Sequence, residues 1–165
     1  MNNIILIGMM GSGKTLIGQA LGKKTLMPFI DIYATIEDKE KTIISNLFSQ
    51  YGELYFRKLE TQAVHQASFA KDTVIATGGG VVLNPQNMEI LSKCGVVVYL
   101  QATLGTLQKR VQADPNRPLA NKLEDLFKQR EPLYKKYSDF TIDANCKPDK
   151  VLEMILREYR NNKRT

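Results

Sequence analysis

The stretch Gly8-Met9-Met10-Gly11-Ser12-Gly13-Lys14-Thr15, written GMMGSGKT, decides the fold of this chain. It fits the pattern G-x-x-x-x-G-K-[ST] at every fixed position and follows an apolar run. Glycines here let successive backbone N–H groups point at phosphate oxygens, and the next helix adds the positive end of its dipole. The stretch therefore predicts a phosphate-binding loop, with Lys14 on the β- and γ-phosphates of a nucleotide and the Thr15 hydroxyl on Mg²⁺.

Outward from this loop, short apolar runs predict the buried strands of a parallel sheet, and the segments between them predict helices. The strands are Ile4–Ile7, Thr73–Ala76, Val96–Leu100 and Phe140–Ile142, with Pro28–Asp31 as a weaker fifth. The helices are Lys14–Lys24, a long one around Glu53–Phe69, Gln86–Ser92, Leu104–Gln112, Leu123–Tyr137 and Lys150–Arg160. This alternation predicts an α/β fold, a doubly wound parallel five-stranded sheet flanked by helices, with ligands beyond the carboxyl ends of the strands.

Length and composition predict a globular protein of one domain, residues 1–165, because 43% hydrophobic and 24% charged residues are ordinary for a globular chain of 165 residues. Without a predicted membrane span, signal peptide or paired cysteines, a cytoplasmic protein is the default expectation. The net charge of +6 suits an anionic small substrate, and without a stripe of aromatic and basic residues we expect no nucleic-acid partner. No apolar stretch reaches the length of a membrane span, and the first residues do not resemble a signal peptide. Cys94 and Cys146 lack metal or redox spacing.

The phosphate-binding loop alone does not separate kinases from other nucleotide-binding proteins. A guanine-specific GTPase would carry N-K-x-D after a late strand, whereas Asn121–Glu124 reads NKLE and follows a loop. A motor or transporter ATPase would normally need a longer chain. A small-molecule kinase is the economical interpretation.

Two further groups of polar residues have a functional and a structural interpretation each. Asp31 ends the second predicted strand, where its carboxylate could hold a water on Mg²⁺ or could cap the following segment as a helix. Arg57 and Glu60 are spaced i, i+3 on one helix face, and on that spacing alone a surface salt bridge is the simpler interpretation.

Two glycine- or proline-marked segments complete the pattern. Thr77–Gly80 (TGGG) directly follows the third predicted strand, and either forms a flexible turn or brings backbone close to a hydroxylated substrate. Residues 112–121 have the composition of a mobile lid, from which Arg117 could neutralise charge on a transferred phosphoryl group. Arg130 follows in the next predicted helix and by itself would be an ordinary exposed arginine.

Taken in order, these segments resemble shikimate kinase, a small P-loop kinase related to the nucleoside monophosphate kinases. The resemblance rests on GMMGSGKT, FID at 29–31, FRKLE at 56–60, TGGG at 77–80, RPLA at 117–120 and REPLY at 130–134. It implies a P-loop kinase fold with a lid, and transfer of the ATP γ-phosphoryl group to the 3-hydroxyl of shikimate, with Mg²⁺, in aromatic amino acid biosynthesis. Relatives of this size are often monomers, so we expect a monomer.

The resemblance also implies roles for individual residues. The ATP phosphates would be bound by Gly11, Ser12, Gly13, Lys14 and Thr15, and the metal by Thr15 and Asp31. Arg110 would line the adenine site, with residues 145–148 nearby. Arg117 would act from the lid. Arg57 and Arg130 would clasp the shikimate carboxylate, Glu60 would orient Arg57, and the backbone of Gly79 and Gly80 would contact the substrate. Lys14, Asp31 and Arg117 would be the catalytic set.

One position departs from the family pattern. The D-x-D motif that begins at Asp31 has Tyr33 in place of its second aspartate, which normally contacts the substrate hydroxyls and is the proposed general base. Tyrosine, with an ordinary pKa of about 10, is a poor base at neutral pH, and Glu37 one helical turn on is a possible substitute. Three outcomes stay open: slower phosphorylation of shikimate, a different hydroxy acid as acceptor, or a nucleotide-binding relative with little kinase activity.

Overall fold

The computed structural model describes residues 3–112 and 122–162, and its centre is a parallel sheet of five strands in the order β2-β3-β1-β4-β5. The strands are β1 (Asn3–Ile7), β2 (Phe29–Asp31), β3 (Val74–Ala76), β4 (Gly95–Gln101) and β5 (Phe140–Asp143). β1 lies between β3 and β4, with Ile5 opposite Ile75 on one side and Val97 on the other. Since β2 and β3 lie on one side of β1, and β4 and β5 on the other, the crevice at the carboxyl end of β1 is where a ligand is expected.

Seven α-helices lie in the described part of the chain. They are α1 (Lys14–Thr25), α2 (Ile32–Glu40), α3 (Ile44–Ala67), α4 (Pro85–Cys94), α5 (Leu104–Gln112), α6 (Leu123–Tyr137) and α7 (Pro148–Asn162). The central strands are apolar on both faces, and every residue of β1 is buried, which confirms the predicted α/β sheet. None of the helices within residues 3–112 and 122–162 combines the length and hydrophobicity that crossing a membrane requires.

The region between β2 and β3 differs from the prediction. Helix α2 was not predicted, and α3 begins at Ile44 rather than near Glu53. Gly52, with φ 80° and ψ 171°, breaks α3 in its middle, so the predicted helix is only the second half of this element. The first half follows an extended Ile43 with no side-chain cap, which explains why its start carries no clear signal in the sequence.

Candidate active site

The phosphate loop, residues 8–15, joins β1 to α1 and has a backbone conformation that requires glycine at several positions. Gly8, Gly11 and Gly13 have φ values of 149°, 82° and 94°, which L side chains rarely adopt. At Gly8 an added Cβ would also lie 2.7 Å from the carbonyl oxygen of Leu100 on β4. The loop therefore depends on glycine both for its curl and for its close packing on the sheet.

Lys14 lies under this loop rather than in solvent. Its side chain is buried, and its Nζ donates hydrogen bonds to the carbonyl oxygens of Gly8 at 2.7 Å and Met9 at 2.9 Å. The ammonium group is thus held at the concave side of the loop by backbone oxygens. A fixed positive charge at this point can stabilise the charge of bound phosphates.

Asp31 caps the following helix, which is one of the two functions that the sequence left open, and its role at a metal stays a prediction. Its Oδ1 accepts hydrogen bonds from the backbone N–H groups of Tyr33 and Ala34, so it is the N-cap of α2. Its Oδ2 accepts a hydrogen bond of 2.6 Å from the Thr15 hydroxyl. A carboxylate and a hydroxyl oxygen therefore adjoin beside the phosphate loop, and these are the ligand types that Mg²⁺ prefers.

Arg110 connects the phosphate loop to the end of β5. Its guanidinium donates to the carbonyl oxygens of Gly11 at 3.2 Å and Ala144 at 2.9 Å. The neighbouring Asn145 side chain accepts a hydrogen bond of 3.0 Å from the backbone N–H of Thr103, which fixes the loop that precedes α7. Arg110 thus stands between the loop and the segment predicted to face an adenine ring.

On the other side of the phosphate loop lies a second cluster, the acceptor corner, formed by Tyr33, Arg57, Glu60, Gly78–Gly80 and Arg130. Arg57 donates to Glu60 at 2.9 Å and to Glu53 at 3.2 Å. Glu60 is completely buried, so the surface salt bridge favoured by spacing alone is wrong. Burial raises the pKa of the Glu60 carboxyl, and the adjacent Arg57 offsets only part of that rise.

The three glycines of the acceptor corner allow close approach of side chains. A Cβ on Gly78 would overlap the Tyr33 ring, and a Cβ on Gly80 would overlap the Arg57 guanidinium. At Gly79 it would lie 3.4 Å from the backbone nitrogen of Met10 and 3.5 Å from an Arg130 nitrogen. Since φ is not positive at any of the three, Gly78 and Gly80 are needed for space rather than for an unusual turn, whereas the distances at Gly79 are ordinary van der Waals contacts.

Tyr33 projects from the start of α2 into this corner. Its ring packs edge-on against Phe56, with centroids 5.3 Å apart at 88°. Burial raises the pKa of the phenol well above its usual range and the charge of Glu60 adds to the rise, while a hydrogen bond and the charge of Arg57 lower it. A neutral hydroxyl therefore occupies the centre of a group of charged side chains.

Arg130 is buried in α6, with a relative exposure of 3%, contrary to the expectation that it would be an ordinary exposed arginine. One turn later, the Tyr134 hydroxyl donates to the carbonyl oxygen of Gly79 at 2.5 Å, and its ring stacks on Tyr99 at 5.1 Å. Tyr134 was not among the predicted site residues. The i, i+4 spacing from Arg130 within REPLY was the signal that could have identified it.

A cavity of about 890 Å³ connects the phosphate loop with the acceptor corner. Of the predicted site residues, it is lined by Gly11, Gly13, Lys14, Thr15, Asp31, Tyr33, Arg57, Gly79, Arg110 and Arg130. Ser12, Glu60 and Gly80 lie behind this wall rather than on it. Arg117 and the lid predicted at about 112–121 fall almost wholly outside the described residues, so their roles stay predictions.

A phosphate loop at the carboxyl end of β1, with a cationic pocket on the same cavity, defines a P-loop kinase that acts on a small anionic molecule. The family model for shikimate kinase matches residues 10–160. The chain belongs to the shikimate kinase family.

The chain is similar to known shikimate kinases over nearly its full length. The shikimate kinase of Thermodesulfovibrio yellowstonii is 40% identical over 96% of this chain and 95% of its own. The shikimate kinase of Caldanaerobacter subterraneus subsp. tengcongensis is 39% identical over 96% of each. Among solved structures, the shikimate kinase from Acinetobacter baumannii in complex with shikimate has a TM-score of 0.94 and 36% identity, covering 99% of this chain and 95% of that one.

Proposed function

We propose that this protein transfers the γ-phosphoryl group of ATP to the 3-hydroxyl of shikimate. The observation that carries this proposal is the single cavity on which a phosphate loop faces Arg57 and Arg130. In the reaction the bond between the γ-phosphorus and the bridging oxygen of ADP breaks. A bond from that phosphorus to the 3-oxygen forms, and the hydroxyl proton is released.

On the donor side, the backbone N–H groups from Gly11 to Thr15 bind the phosphates, and Lys14 neutralises charge that develops during transfer. Arg110, tied to the phosphate loop and to Ala144, supports the nucleotide end of the cavity. From the lid, Arg117 adds positive charge to the transferred group. Phosphoryl transfer depends chiefly on such positioning and charge stabilisation, so these residues suffice for the donor half.

Thr15 and Asp31 are suited to Mg²⁺. Their oxygens adjoin at 2.6 Å, and both are hard ligands of the kind this ion selects. Bound Mg²⁺ supplies charge stabilisation to the β- and γ-phosphates. The other oxygen of Asp31 caps α2, so the carboxylate that would bind the metal is held in place by hydrogen bonds from the start of that helix.

On the acceptor side, Arg57 and Arg130 bind the shikimate carboxylate through charge-assisted hydrogen bonds. Glu60 orients Arg57 from behind the wall, and the backbone of Gly79 contacts the substrate ring. Gly80, which was also predicted to contact the substrate, lies behind the wall and leaves the space that the Arg57 guanidinium occupies. The buried Nε atoms of Arg57 and Arg130 have no hydrogen-bond partner among the described residues. Such unsatisfied donors are costly in a folded protein and are typical of functional sites.

The test is a coupled ADP-release assay with ATP, Mg²⁺ and purified protein, run with and without shikimate. We expect ADP release that depends on shikimate and yields shikimate 3-phosphate by mass spectrometry. If ADP release stays at the level without shikimate at every enzyme concentration, the proposal is wrong. A panel of other cyclic hydroxy acids in the same assay would then identify a different acceptor, and inactivity with all of them would indicate a nucleotide-binding protein.

We further propose that the protein works as a cytoplasmic monomer without nucleic-acid or membrane partners. Size-exclusion chromatography with light scattering should give a mass near 18.7 kDa. A stable dimer under assay conditions would contradict this part of the proposal.

A further inference from the structure

The side chain of Tyr33 is held in one position by neighbours from two other parts of the fold, the end of β3 and helix α3. Its ring lies over Gly78 at the end of β3, where any larger residue would overlap it. The edge of the ring contacts Phe56 on α3, and the Arg57 guanidinium of the same helix lies within hydrogen-bonding reach of its hydroxyl. The phenol is therefore a fixed part of the cavity wall.

The hydrogen-bonding capacity of this hydroxyl is only half used. A guanidinium can donate hydrogen bonds but cannot accept them, whereas a phenol can do both. Toward Arg57 the hydroxyl of Tyr33 can therefore act only as an acceptor, which leaves its own hydrogen to donate elsewhere. Among residues 3–112 and 122–162, no side chain or backbone group accepts a hydrogen bond from the Tyr33 hydroxyl. Tyr33 lines the cavity together with Arg57, Gly79 and Arg130, so this donor lies where the acceptor molecule would bind.

We infer that Tyr33 is a specificity-determining residue whose hydroxyl donates a hydrogen bond to one hydroxyl oxygen of the bound acceptor. This inference rests on the proposed function, since it takes shikimate as the ligand. A carboxylate at this position could only accept a hydrogen bond from the same hydroxyl group. The acceptor corner of this protein therefore selects a ligand oxygen with a free lone pair, bound within reach of Arg57.

One internal competitor exists for the phenolic hydrogen. The Oε2 atom of Glu60 is buried and has no hydrogen-bond partner among the described residues, and its charge acts on Tyr33. If Tyr33 instead donated to Glu60, its hydroxyl would stabilise the Arg57–Glu60 pair and would not distinguish one hydroxyl of the ligand from another. The two arrangements predict different binding patterns for altered ligands.

The experiment is a cycle of ligand and protein changes measured by titration calorimetry. Shikimate and its three monodeoxy analogues, lacking the 3-, 4- or 5-hydroxyl, are titrated into the unaltered protein and into Tyr33→Phe. Phenylalanine keeps the ring on Gly78 and Phe56 and removes only the hydroxyl. We expect one analogue to bind the unaltered protein about threefold to tenfold more weakly than shikimate does. To Tyr33→Phe, the same analogue and shikimate should bind with equal affinity.

Tyr134→Phe is the matched control. It also removes one buried phenolic hydroxyl, but that hydroxyl is bonded to the Gly79 carbonyl, so its loss should weaken all four ligands by a similar factor. If Tyr33→Phe weakens the binding of shikimate and of all three analogues by the same factor, the inference is overturned. Shikimate-dependent ADP release would still support the proposed function in that case. If the unaltered protein neither binds shikimate nor releases ADP with it, both fail.

Discussion

The phosphate loop and the acceptor corner face each other across one cavity but are built in opposite ways. In the phosphate loop, the cationic groups are held by the protein itself, with Lys14 on the carbonyls of Gly8 and Met9, and Arg110 on that of Gly11. In the acceptor corner, by contrast, Arg57 Nε, Glu60 Oε2 and Arg130 Nε are buried without hydrogen-bond partners in the described part of the chain. The cationic side chains at the phosphate loop therefore have partners within the protein, whereas those of the acceptor corner keep buried atoms without one among the described residues.

This difference has a structural cause. The phosphate loop is one continuous segment between a strand and a helix, so its geometry is local. The acceptor corner draws on α2, α3, α6 and the end of β3, and its side chains fit together only because Gly78 and Gly80 make room for the Tyr33 ring and the Arg57 guanidinium. Changes at the phosphate loop should therefore reduce phosphoryl transfer, whereas changes at the acceptor corner should reduce acceptor binding.

The largest effect is expected from Lys14→Met, which keeps most of the apolar stem and removes the charge. We expect kcat to fall at least about 100-fold, because a preorganised charge on the transferred group is lost, while shikimate affinity changes less than twofold. Steady-state kinetics and calorimetry measure the two quantities. Lys23→Met, an exposed lysine of the same helix, is the control and should leave both unchanged. A loss of shikimate affinity as large as the loss of kcat would remove the contrast between the two ends.

Arg130→Ala tests the opposite end. We expect shikimate affinity to fall about 10- to 100-fold with ATP affinity almost unchanged, since charge-assisted hydrogen bonds to a carboxylate are lost. Arg130→Lys keeps the charge without the planar guanidinium, so its affinity for shikimate should lie between those of the unaltered protein and Arg130→Ala. Lys128→Ala, exposed on the same helix, controls for loss of charge alone. Unchanged shikimate affinity in Arg130→Ala would place the arginine outside the acceptor site.

Gly78→Ala is expected to have a smaller effect on the same side. The added methyl group would overlap the Tyr33 ring, so the ring must move toward the cavity, and we expect the KM for shikimate to rise several-fold while the KM for ATP stays constant. The matched control is Gly105→Ala, since a Cβ there meets no atom within 4 Å and should be neutral or slightly stabilising. Normal shikimate kinetics in Gly78→Ala would show that the ring position does not matter for the acceptor.

The sequence predicted the local end of the cavity far better than the assembled end. GMMGSGKT specifies the phosphate loop because each of its residues has a local structural reason, and the alternation of apolar runs with helical stretches predicted the sheet. Asp31 was correctly identified as a possible cap, because N-caps depend on a few adjacent residues.

What could not be predicted depends on contacts between distant segments. The packing of Tyr33 on Gly78 joins residues 45 positions apart, and no local pattern in FIDIY indicates it. Glu60 and Arg130 are buried by tertiary packing, in which α3 packs on α2, and α6 packs on β4 and on the turn that follows Gly80. Spacing within a helix shows that two side chains share a face, but only tertiary packing decides whether that face is buried.

The smallest expected effect concerns the charge of Glu60 and how it changes the pH dependence of stability. Burial raises the folded-state pKa of this carboxyl above its ordinary 4.5, against the opposing influence of Arg57 and Arg130 and with a contribution from Glu53. Between 4.5 and the raised pKa, the folded state holds more protons at this site than the unfolded state. The free energy of unfolding, compared with that of Glu60→Gln, should therefore be highest below pH 4.5 and should decline as pH rises through that window.

Denaturant unfolding of both proteins across this pH range measures the difference. Glu124→Gln is a control of opposite sign, because Glu124 is exposed and its hydrogen bond with Lys128 lowers its pKa. If the stability difference between the unaltered protein and Glu60→Gln instead grew with pH, the attraction of Arg57 would outweigh burial. The acceptor corner would then be a paired, self-sufficient cluster like the phosphate loop, and its unsatisfied atoms would not depend on a ligand.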